Sequence, residues 1–256
     1  MSGLLQAVLS GYYARNQLRS RSRLISWSHR GRFRAALRIA REVQGGRTLD
    51  YGCGDGTFLG LLASHMAVSA VGAEIHSSIV DSCRSRFAGY DNLRFVHVSA
   101  LEPSERESFD VIYCMEVLEH VTDPDVLLER LEWLLAPGGT LVISVPIETG
   151  LPVVVKQAVR TLAGWRRIGD YPGTTSYTPR ELLSSILAGA TQHIQRPAFK
   201  DAAGNSTHDH KGFNWRVLRA LVRRRFRLVR EDTSPIRGLG PHFATQRWFV
   251  ARKRGI

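Results

Sequence analysis

Two glutamates and a histidine lie close together in the middle of the chain, in the run Glu116-Val117-Leu118-Glu119-His120. Carboxylate oxygens and an imidazole nitrogen at this spacing can converge on one divalent cation. Such a cation would lower the pKa of an acceptor hydroxyl and orient it for reaction. Without a metal, His120 is a candidate general base. The alternative is that Glu116, Glu119 and His120 only cap a turn. The run therefore predicts hydroxyl chemistry, with His120 and Glu116 as candidate catalytic residues.

A glycine-rich run lies between a short apolar strand and a helix, and has glycine at every second position: Asp50, Tyr51, Gly52, Cys53, Gly54, Asp55 and Gly56. Glycines let the backbone approach a ligand closely, and the free N–H groups of the next helix suit an anionic group. A dinucleotide fingerprint would need Gly or Ala where this chain has Thr57. The run predicts a nucleotide-type loop, with a purely structural glycine turn as the alternative.

The strand after this loop ends in a carboxylate, Glu74, which is followed by Ile75. In a doubly wound fold, an acidic side chain at this place can accept both hydroxyl protons of a ribose, and it disfavours a 2′-phosphate. A solvated carboxylate at a strand end is the simpler alternative. Its place after the glycine loop favours a role in ligand binding.

The D-x-G-x-G-x-G spacing resembles motif I of the class I S-adenosylmethionine (SAM) dependent methyltransferases, and the stretch FDVIYCMEVLEHVTDPDVLLERLEWLLAPGGTLVISVP is similar to the second half of their domain. The resemblance covers roughly Arg47 to Pro146. It implies SAM as the cofactor, with Glu74 on the ribose and Met115 near the methionine amino group. The implied cofactor-binding residues are Asp50, Tyr51, Gly52, Gly54, Gly56, Glu74, Ile75, Ser99, Ala100, Leu101, Met115 and Arg32.

Two parts of this set depart from the common pattern or rest on short matches. Many members of the superfamily carry Asp at the adenine site where this chain has Ser99, so adenine contacts would depend more on backbone atoms. Trp27, His29 and Arg32 resemble an aromatic and arginine segment that precedes motif I in some members and covers the cofactor. Ordinary helix packing is the alternative for these three.

The E-x-x-E-H run is similar to that of ubiquinone-biosynthesis O-methyltransferases and of small-RNA 3′-end 2′-O-methyltransferases, which are metal-assisted. In the RNA enzymes, a further histidine ligand lies in a segment that residues 208–215 resemble, with one extra glycine here. His210 is the matching residue. The resemblance implies Glu116, Glu119, His120 and His210 as ligands of Mg²⁺ or Mn²⁺, although many methyltransferases with a similar run are not known to need metal.

Strand and helix patterns alternate from Arg47 to Pro146, which predicts parallel βαβ units. Two closing strands, at residues 226–232 and 245–253, would add an antiparallel edge. We therefore expect an α/β fold with a mostly parallel, doubly wound, seven-stranded sheet and an antiparallel last strand. Residues 1–46 are predicted to form a basic helical cap, and residues 47–256 the main domain. A variable insertion at about 147–212 would hold a basic helix over 153–168 and a helix that begins at the Thr178 capping box.

The chain has 256 residues with a formal net charge of +12, which suits nucleic acid, an anionic membrane or a phosphorylated substrate. Nearly all its basic residues are arginines, so an unspecialised basic surface is the plainer interpretation. Three cysteines are too few for a disulfide framework, and no segment is apolar and long enough to span a bilayer. We expect a cytoplasmic protein. Residues 4–12 repeat apolar side chains at helical spacing, for packing or for peripheral contact with the inner membrane face.

These observations predict a SAM-dependent methyltransferase that acts on a hydroxyl of a small or lipid-linked acceptor, such as a sugar, phenol or glycolipid. An RNA 2′-O-methyltransferase is the main rival, favoured by the net charge, by Trp165, Arg166 and Arg167, and by residues 208–215. No RNA-binding module is recognisable. A protein that binds SAM without catalysis is the third alternative.

Overall fold

The computed structural model describes residues 3–18, 20, 23–101, 103–165, 177–192, 194–200, 204, 206–238 and 240–255. The helices are α1 (Gly3–Leu9), α2 (Arg23–Val43), α3 (Thr57–His65), α4 (Ser77–Arg86), α5 (Pro124–Leu134), α6 (Leu151–Trp165), α7 (Pro179–Ile186) and α8 (Trp215–Arg225). The strands are β1 (Arg47–Tyr51), β2 (Ser69–Glu74), β3 (Leu93–His97), β4 (Phe109–Met115), β5 (Leu135–Pro146), β6 (Ala198–Lys200), β7 (Ser206–His208), β8 (Phe226–Ser234) and β9 (Gln246–Lys253).

Seven strands form one sheet in the order β3-β2-β1-β4-β5-β9-β8. Strands β1 to β5 are parallel, and β9 is antiparallel to both of its neighbours, β5 and β8. The order reverses between β1 and β4, and ligands of doubly wound sheets bind beyond the carboxyl ends of the strands at such a point. The predicted fold class is confirmed.

Apolar side chains cover both faces of the sheet. On one face, α5 and α8 contribute buried residues such as Leu128, Leu131 and Val222. On the other face, α1 to α4 do the same, and Ile39 of α2 is fully buried. Because α2 packs directly on the sheet, α1 and α2 share the core of the main domain. The predicted domain boundary stays a prediction.

Some local predictions need correction. The sequence pattern TLVISVP, after Pro137, Gly138 and Gly139, predicts a strand that begins at Thr140. Pairing with β4 instead begins already at Leu135, opposite Phe109. The register then shifts before Thr140, so the glycines lie inside an irregular strand. The hairpin of β6 and β7 was not predicted, because three-residue strands leave no periodic pattern.

The insertion is described only in part. Helix α6 runs from Leu151 to Trp165, so the predicted end at residue 168 lies outside the described residues, as do Arg166 and Arg167. The capping box is confirmed: the Thr178 hydroxyl accepts from the Glu181 N–H, and the Glu181 carboxylate accepts from the Thr178 N–H at 2.7 Å.

Near the N-terminus, Val8 of α1 is buried against Gly60 of α3, where an added Cβ would lie 2.3 Å from a Val8 methyl. This contact favours the packing interpretation of residues 4–12, although Tyr12 stays exposed. None of the helices in the described part of the chain is long and apolar enough to cross a membrane.

Candidate active site

The glycine-rich loop follows β1 at the point where the strand order reverses. Gly52, Gly54 and Gly56 all have left-handed backbones, with φ of 78°, 52° and 73°. A Cβ on Gly52 would lie 2.3 Å from a methyl of Val117, in the turn after β4. Glycine is required at Gly52 for two reasons, since both the φ angle and the close approach of the next turn exclude a side chain. The loop therefore leaves its backbone open to a ligand.

Glu74, at the end of β2, fixes the same loop. One carboxylate oxygen accepts from the Gly54 N–H at 3.0 Å, and the other accepts from the Ile75 N–H at 2.8 Å. Glu74 is buried, so these bonds set its orientation firmly. The two predicted cofactor residues Glu74 and Gly54 are thus in direct contact, with Ile75 41% exposed beside them.

Asp50 lies beneath the loop and is completely buried on β1. One of its carboxylate oxygens has no hydrogen-bond partner among the described residues. Burial, and next the negative charge of Glu74, raise the pKa of Asp50 to about 8, against a smaller opposing effect of Arg32. The raised pKa favours the protonated form of the Asp50 carboxyl group at neutral pH.

Tyr13 and Asp55 cover the loop, and sequence reasoning missed both of these residues. The Asp55 carboxylate accepts from the Tyr13 N–H at 2.8 Å and lies 3.7 Å from the Arg86 guanidinium. The Tyr13 ring is placed so that a Cβ on Gly54 would lie 3.4 Å from it. In the sequence, the acidic side chain of Asp55 inside the glycine run was the one feature that could have indicated a hydrogen bond to a segment elsewhere in the chain.

At the end of β4, Met115 pairs with Ser144, and Glu116 adopts a left-handed backbone with φ of 57°. The Glu116 carboxylate accepts from the Ser144 hydroxyl at 2.9 Å and lies 3.5 Å from the guanidinium of Arg32. Arg32 is buried, with its guanidinium 5.9 Å from the centre of the Tyr13 ring. Arg32 therefore lies in the same cleft as the loop, whereas Trp27 lines a different cleft.

The predicted adenine residues lie at the end of β3. Ser99 and Ala100 are in a short 3₁₀ turn, and the Ser99 N–H donates to His97 Nδ1 at 3.2 Å. The other nitrogen of His97 is 2.7 Å from the Ile75 carbonyl oxygen, which joins this turn to the end of β2. Leu101 is buried in the core. Tyr51, at the end of β1, is half-buried against that core.

Glu119, His120 and His210 come together although 90 residues separate the two histidines. One ligand atom from each lies within 4.8 Å of the others. Glu119 is completely buried, and neither of its carboxylate oxygens has a hydrogen-bond partner among the residues that the structure describes. Burial, and next the charge of Glu116, raise the pKa of Glu119 well above its ordinary value. A buried carboxylate without partners is costly and calls for a proton or a cation.

Neighbouring carbonyl groups orient this cluster. His120 Nδ1 lies 2.8 Å from the carbonyl oxygen of His208, so Nδ1 carries the proton and Nε2 presents its lone pair. His120 Nε2 lies 3.8 Å from Glu119 Oε1. Arg196 donates to the carbonyl oxygens of Glu119 and Asp209, which holds the two segments of the cluster together.

Glu116, the fourth predicted ligand, does not join this cluster. Its carboxylate is bonded to Ser144 and paired with Arg32, toward the glycine loop. The structure thus brings three of the four predicted ligands together and places Glu116 between them and the cofactor residues. Arg196 was missed because nothing in the sequence places position 196 beside position 119.

Comparison with known proteins agrees with this architecture. The model of a family described as a methyltransferase domain matches residues 22–190. The chain belongs to this family. The resemblance to class I SAM-dependent methyltransferases is therefore confirmed, and the insertion up to residue 190 lies within the matched region.

Two curated relatives are similar to part of the methyltransferase chain. A "Ubiquinone biosynthesis O-methyltransferase" of Coxiella burnetii is 32% identical over 105 residues, 40% of this chain and 44% of the relative. A "Demethylmenaquinone methyltransferase" of Clavibacter sepedonicus is 36% identical over 110 residues, 43% of this chain and 44% of the relative. The matches span less than half of either relative's length, and the two names give different acceptors.

Among solved structures, the N-methyltransferase NodS of Bradyrhizobium japonicum, in complex with S-adenosyl-L-homocysteine, is similar with a TM-score of 0.56. It is 14% identical, and the similarity covers 98% of this chain and 96% of NodS. At this identity the likeness shows the fold alone. The roles of individual site residues stay predictions.

Proposed function

We propose that this methyltransferase-family protein uses SAM to methylate a hydroxyl oxygen of its acceptor. The observation that carries the proposal is the cluster of Glu119, His120 and His210 beside the end of β4. Met115 and Glu116 lie at that strand end, toward the glycine loop. Because Met115 and Glu116 lie between the glycine loop and the cluster, the methyl group of a SAM molecule on the loop would lie near a hydroxyl group bound at the cluster.

On the cofactor side, the backbone of the glycine loop would hold the methionine part of SAM, and Glu74 its ribose. Glu74 is already oriented by two N–H groups, so little reorganisation is needed to accept ribose hydroxyls. Arg32 and Tyr13 would shield the bound cofactor from water, since Arg32 is buried and the Tyr13 ring lies against Gly54.

On the acceptor side, His120 Nε2 faces the cleft with its lone pair, because Nδ1 is bonded to the His208 carbonyl. Without a metal, Nε2 is therefore set to accept the proton of the acceptor hydroxyl as the oxygen takes the methyl group. With a metal bound, the same lone pair would be a ligand of the ion instead. His210 is in edge-to-face contact with His120, with ring centres 4.7 Å apart, and limits rotation of that ring.

The cluster also fits Mg²⁺ or Mn²⁺. Within the described part of the chain, both buried oxygens of Glu119 are without a hydrogen-bond partner. Metal-bound histidines typically donate the N–H of their second ring nitrogen to a carbonyl oxygen, as His120 does. Glu119, His120 and His210 would hold the ion, while Glu116 would stay with Arg32 and Ser144. When bound, the metal would lower the pKa of the acceptor hydroxyl.

For the acceptor we favour a small or lipid-linked molecule bearing a hydroxyl group. The name of the Coxiella burnetii relative supports this class. Apolar side chains are exposed on α6, on α7 and at the residue directly after α7, and they suit a lipid tail or peripheral contact with a membrane. They are Leu151, Val154, Val155, Leu183 and Leu187. A cytoplasmic location at the inner membrane face is part of this proposal.

RNA 2′-O-methylation is the second candidate. It is favoured by the net charge of +12 and by the position of His210, whose segment resembles that of the RNA enzymes. A catechol and a short oligoribonucleotide therefore belong side by side in the assay.

The test combines calorimetric SAM binding with transfer of labelled methyl groups to catechols, phenols, a polyprenyl phenol and an oligoribonucleotide, with and without Mn²⁺. We expect Glu119→Ala/His120→Ala to abolish transfer and leave SAM affinity within about twofold. His65→Ala, at an exposed histidine of α3, is the matched control. Absence of SAM binding, or transfer that the double variant retains, would refute the proposal; binding without transfer to any hydroxyl would leave a non-catalytic SAM-binding protein.

A further inference from the structure

A second cleft, outside the SAM site, lies between α2 and the turn that follows β8. It has a volume of about 230 Å³, and its lining includes Trp27, Arg34, Arg38 and Arg237. Trp27, Gly31, Arg34 and Arg38 form one stripe of α2 with helical spacing. Arg32, which faces Glu116, belongs to a different face of the same helix. The cleft is therefore separate from the SAM site.

The cleft exists because the helix and the turn approach each other closely at one point. A Cβ on Gly31 would lie 2.3 Å from the Pro235 Cβ. Gly31 and Pro235 both line the cleft, together with the longer side chains of Arg34 and Arg38 on α2. The shape is thus built into the packing and does not depend on a ligand.

The charge of the cleft is strongly positive. Asp232 lies below it with a side chain only 6% exposed, 2.6 Å from the Arg38 guanidinium and 3.4 Å from that of Arg237. One carboxylate is thus shared by two arginines, and Arg34 has no ion pair in the described part of the chain. Each guanidinium has five N–H donors, so Asp232 leaves most of them available.

The uncharged polar side chains of the lining are already engaged. The Thr233 hydroxyl donates to the Ile236 carbonyl oxygen at 2.8 Å. The Ser234 hydroxyl accepts from the Trp248 indole N–H at 2.9 Å and is 3.1 Å from the Gln246 side-chain oxygen. The groups left for a ligand are therefore guanidinium donors, together with the half-exposed indole of Trp27. This combination selects an anion.

We propose that this cleft is an accessory site for a phosphate group, held by Arg34, Arg38 and Arg237. Guanidinium groups match the oxygens of phosphate in geometry and charge, and a doubly charged group gains most from a site with an excess of two positive charges. The phosphate could belong to a soluble phosphate ester or to a lipid headgroup, and the same chemistry recognises both. The inference is independent of the methyl acceptor.

The first experiment titrates pyrophosphate and glycerol 3-phosphate into the full chain at constant ionic strength, followed by calorimetry and tryptophan fluorescence. We expect saturable binding that Arg34→Gln/Arg237→Gln weakens by about tenfold or more, as expected for lost charge-assisted hydrogen bonds. The matched control is Arg227→Gln/Arg252→Gln, which removes two exposed arginines paired across β8 and β9. SAM affinity should be unchanged in both double variants.

Vesicles of phosphatidylcholine, with and without phosphatidylglycerol, separate the two sources. Binding to phosphatidylglycerol vesicles that only the Arg34/Arg237 variant loses identifies a lipid headgroup. Glycerol 3-phosphate binding without vesicle binding identifies a soluble ester. An absence of saturable binding, an unchanged Arg34/Arg237 variant, or an equal loss in the control variant would overturn the proposal.

Discussion

The proposed cofactor side and the proposed acceptor side of the site are assembled at different sequence distances. Glu74 and Gly54 are joined by one hydrogen bond between consecutive strand ends, 20 residues apart. The acceptor side joins Glu119 and His120 to residues 196–210, through Arg196 and the His208 carbonyl. The cofactor side therefore depends on local backbone geometry, and the acceptor side on how the insertion docks. Changes on one side should leave the other intact.

The largest effect is expected from Gly52→Ala. The backbone at this position is left-handed, which alanine disfavours, and the added methyl group would clash with Val117. We therefore expect SAM affinity to fall by about 100-fold or more. Calorimetric titration of SAM measures it. Gly189→Ala, in the insertion, is the matched control because nothing lies near its Cβ position. An equal loss in both variants would erase the contrast between the two sides.

Asp50 makes the cofactor side sensitive to pH. Its pKa is about 8 in the folded protein and near 4 when unfolded, so the folded state binds the extra proton between these values. The contribution of Asp50 to stability therefore falls as pH rises, by about 1.4 kcal/mol per pH unit between pH 5 and 7.5.

Urea unfolding of the wild type and of Asp50→Asn gives the difference between their unfolding free energies at each pH. The slope of this difference against pH checks the prediction. Asp81→Asn, at an exposed carboxylate of α4, should show no such slope. A flat difference for Asp50→Asn would mean that its carboxyl group is already ionised in the folded protein.

Arg196→Lys should weaken the acceptor side and leave the cofactor side unchanged. Lysine cannot reach both the Glu119 and the Asp209 carbonyl oxygens, so we expect methyl transfer to fall by about tenfold while SAM affinity stays within twofold. The measurements are transfer rate and SAM titration on the same preparation. Arg219→Lys, at a half-buried pair with Glu231 on the far strand β8, provides the control.

The smallest effect is expected from Thr178→Ala. The capping box begins α7, and hydrogen bonds from Thr178, above all from its backbone N–H, lower the pKa of Glu181 to about 2, while Glu181 also pairs with Lys211 at 2.9 Å. Loss of the Thr178 hydroxyl should cost about 1 kcal/mol of helix stability. Faster hydrogen exchange confined to α7 would show this, with Thr191→Ala as control. Exchange that spreads to β1 and α3 would mean that the insertion supports the cofactor side.

These contrasts follow the limits of prediction from sequence. The βαβ rhythm, the glycine loop and the strand-end carboxylate were predicted because each depends on neighbouring residues and on a short period. The start of β5 at Leu135 was not predicted, because a Pro-Gly-Gly run, which usually separates a helix from the next strand, here lies inside an irregular strand. The position of Tyr13 over the loop was missed because it depends on one hydrogen bond, from the Tyr13 N–H to Asp55, between residues 42 positions apart.

The sequence by itself determined the fold class, the methyltransferase family and the candidate residues of the cofactor side, since apolar periodicity and glycine spacing are local properties. Only the tertiary structure decided that Glu119, His120 and His210 meet while Glu116 turns to Arg32 and Ser144. It alone assembled three arginines around a second cleft. The physical reason is that contacts between residues far apart in the sequence depend on how distant helices, strands and loops pack together. That packing depends on the whole hydrophobic core and not on any local sequence pattern.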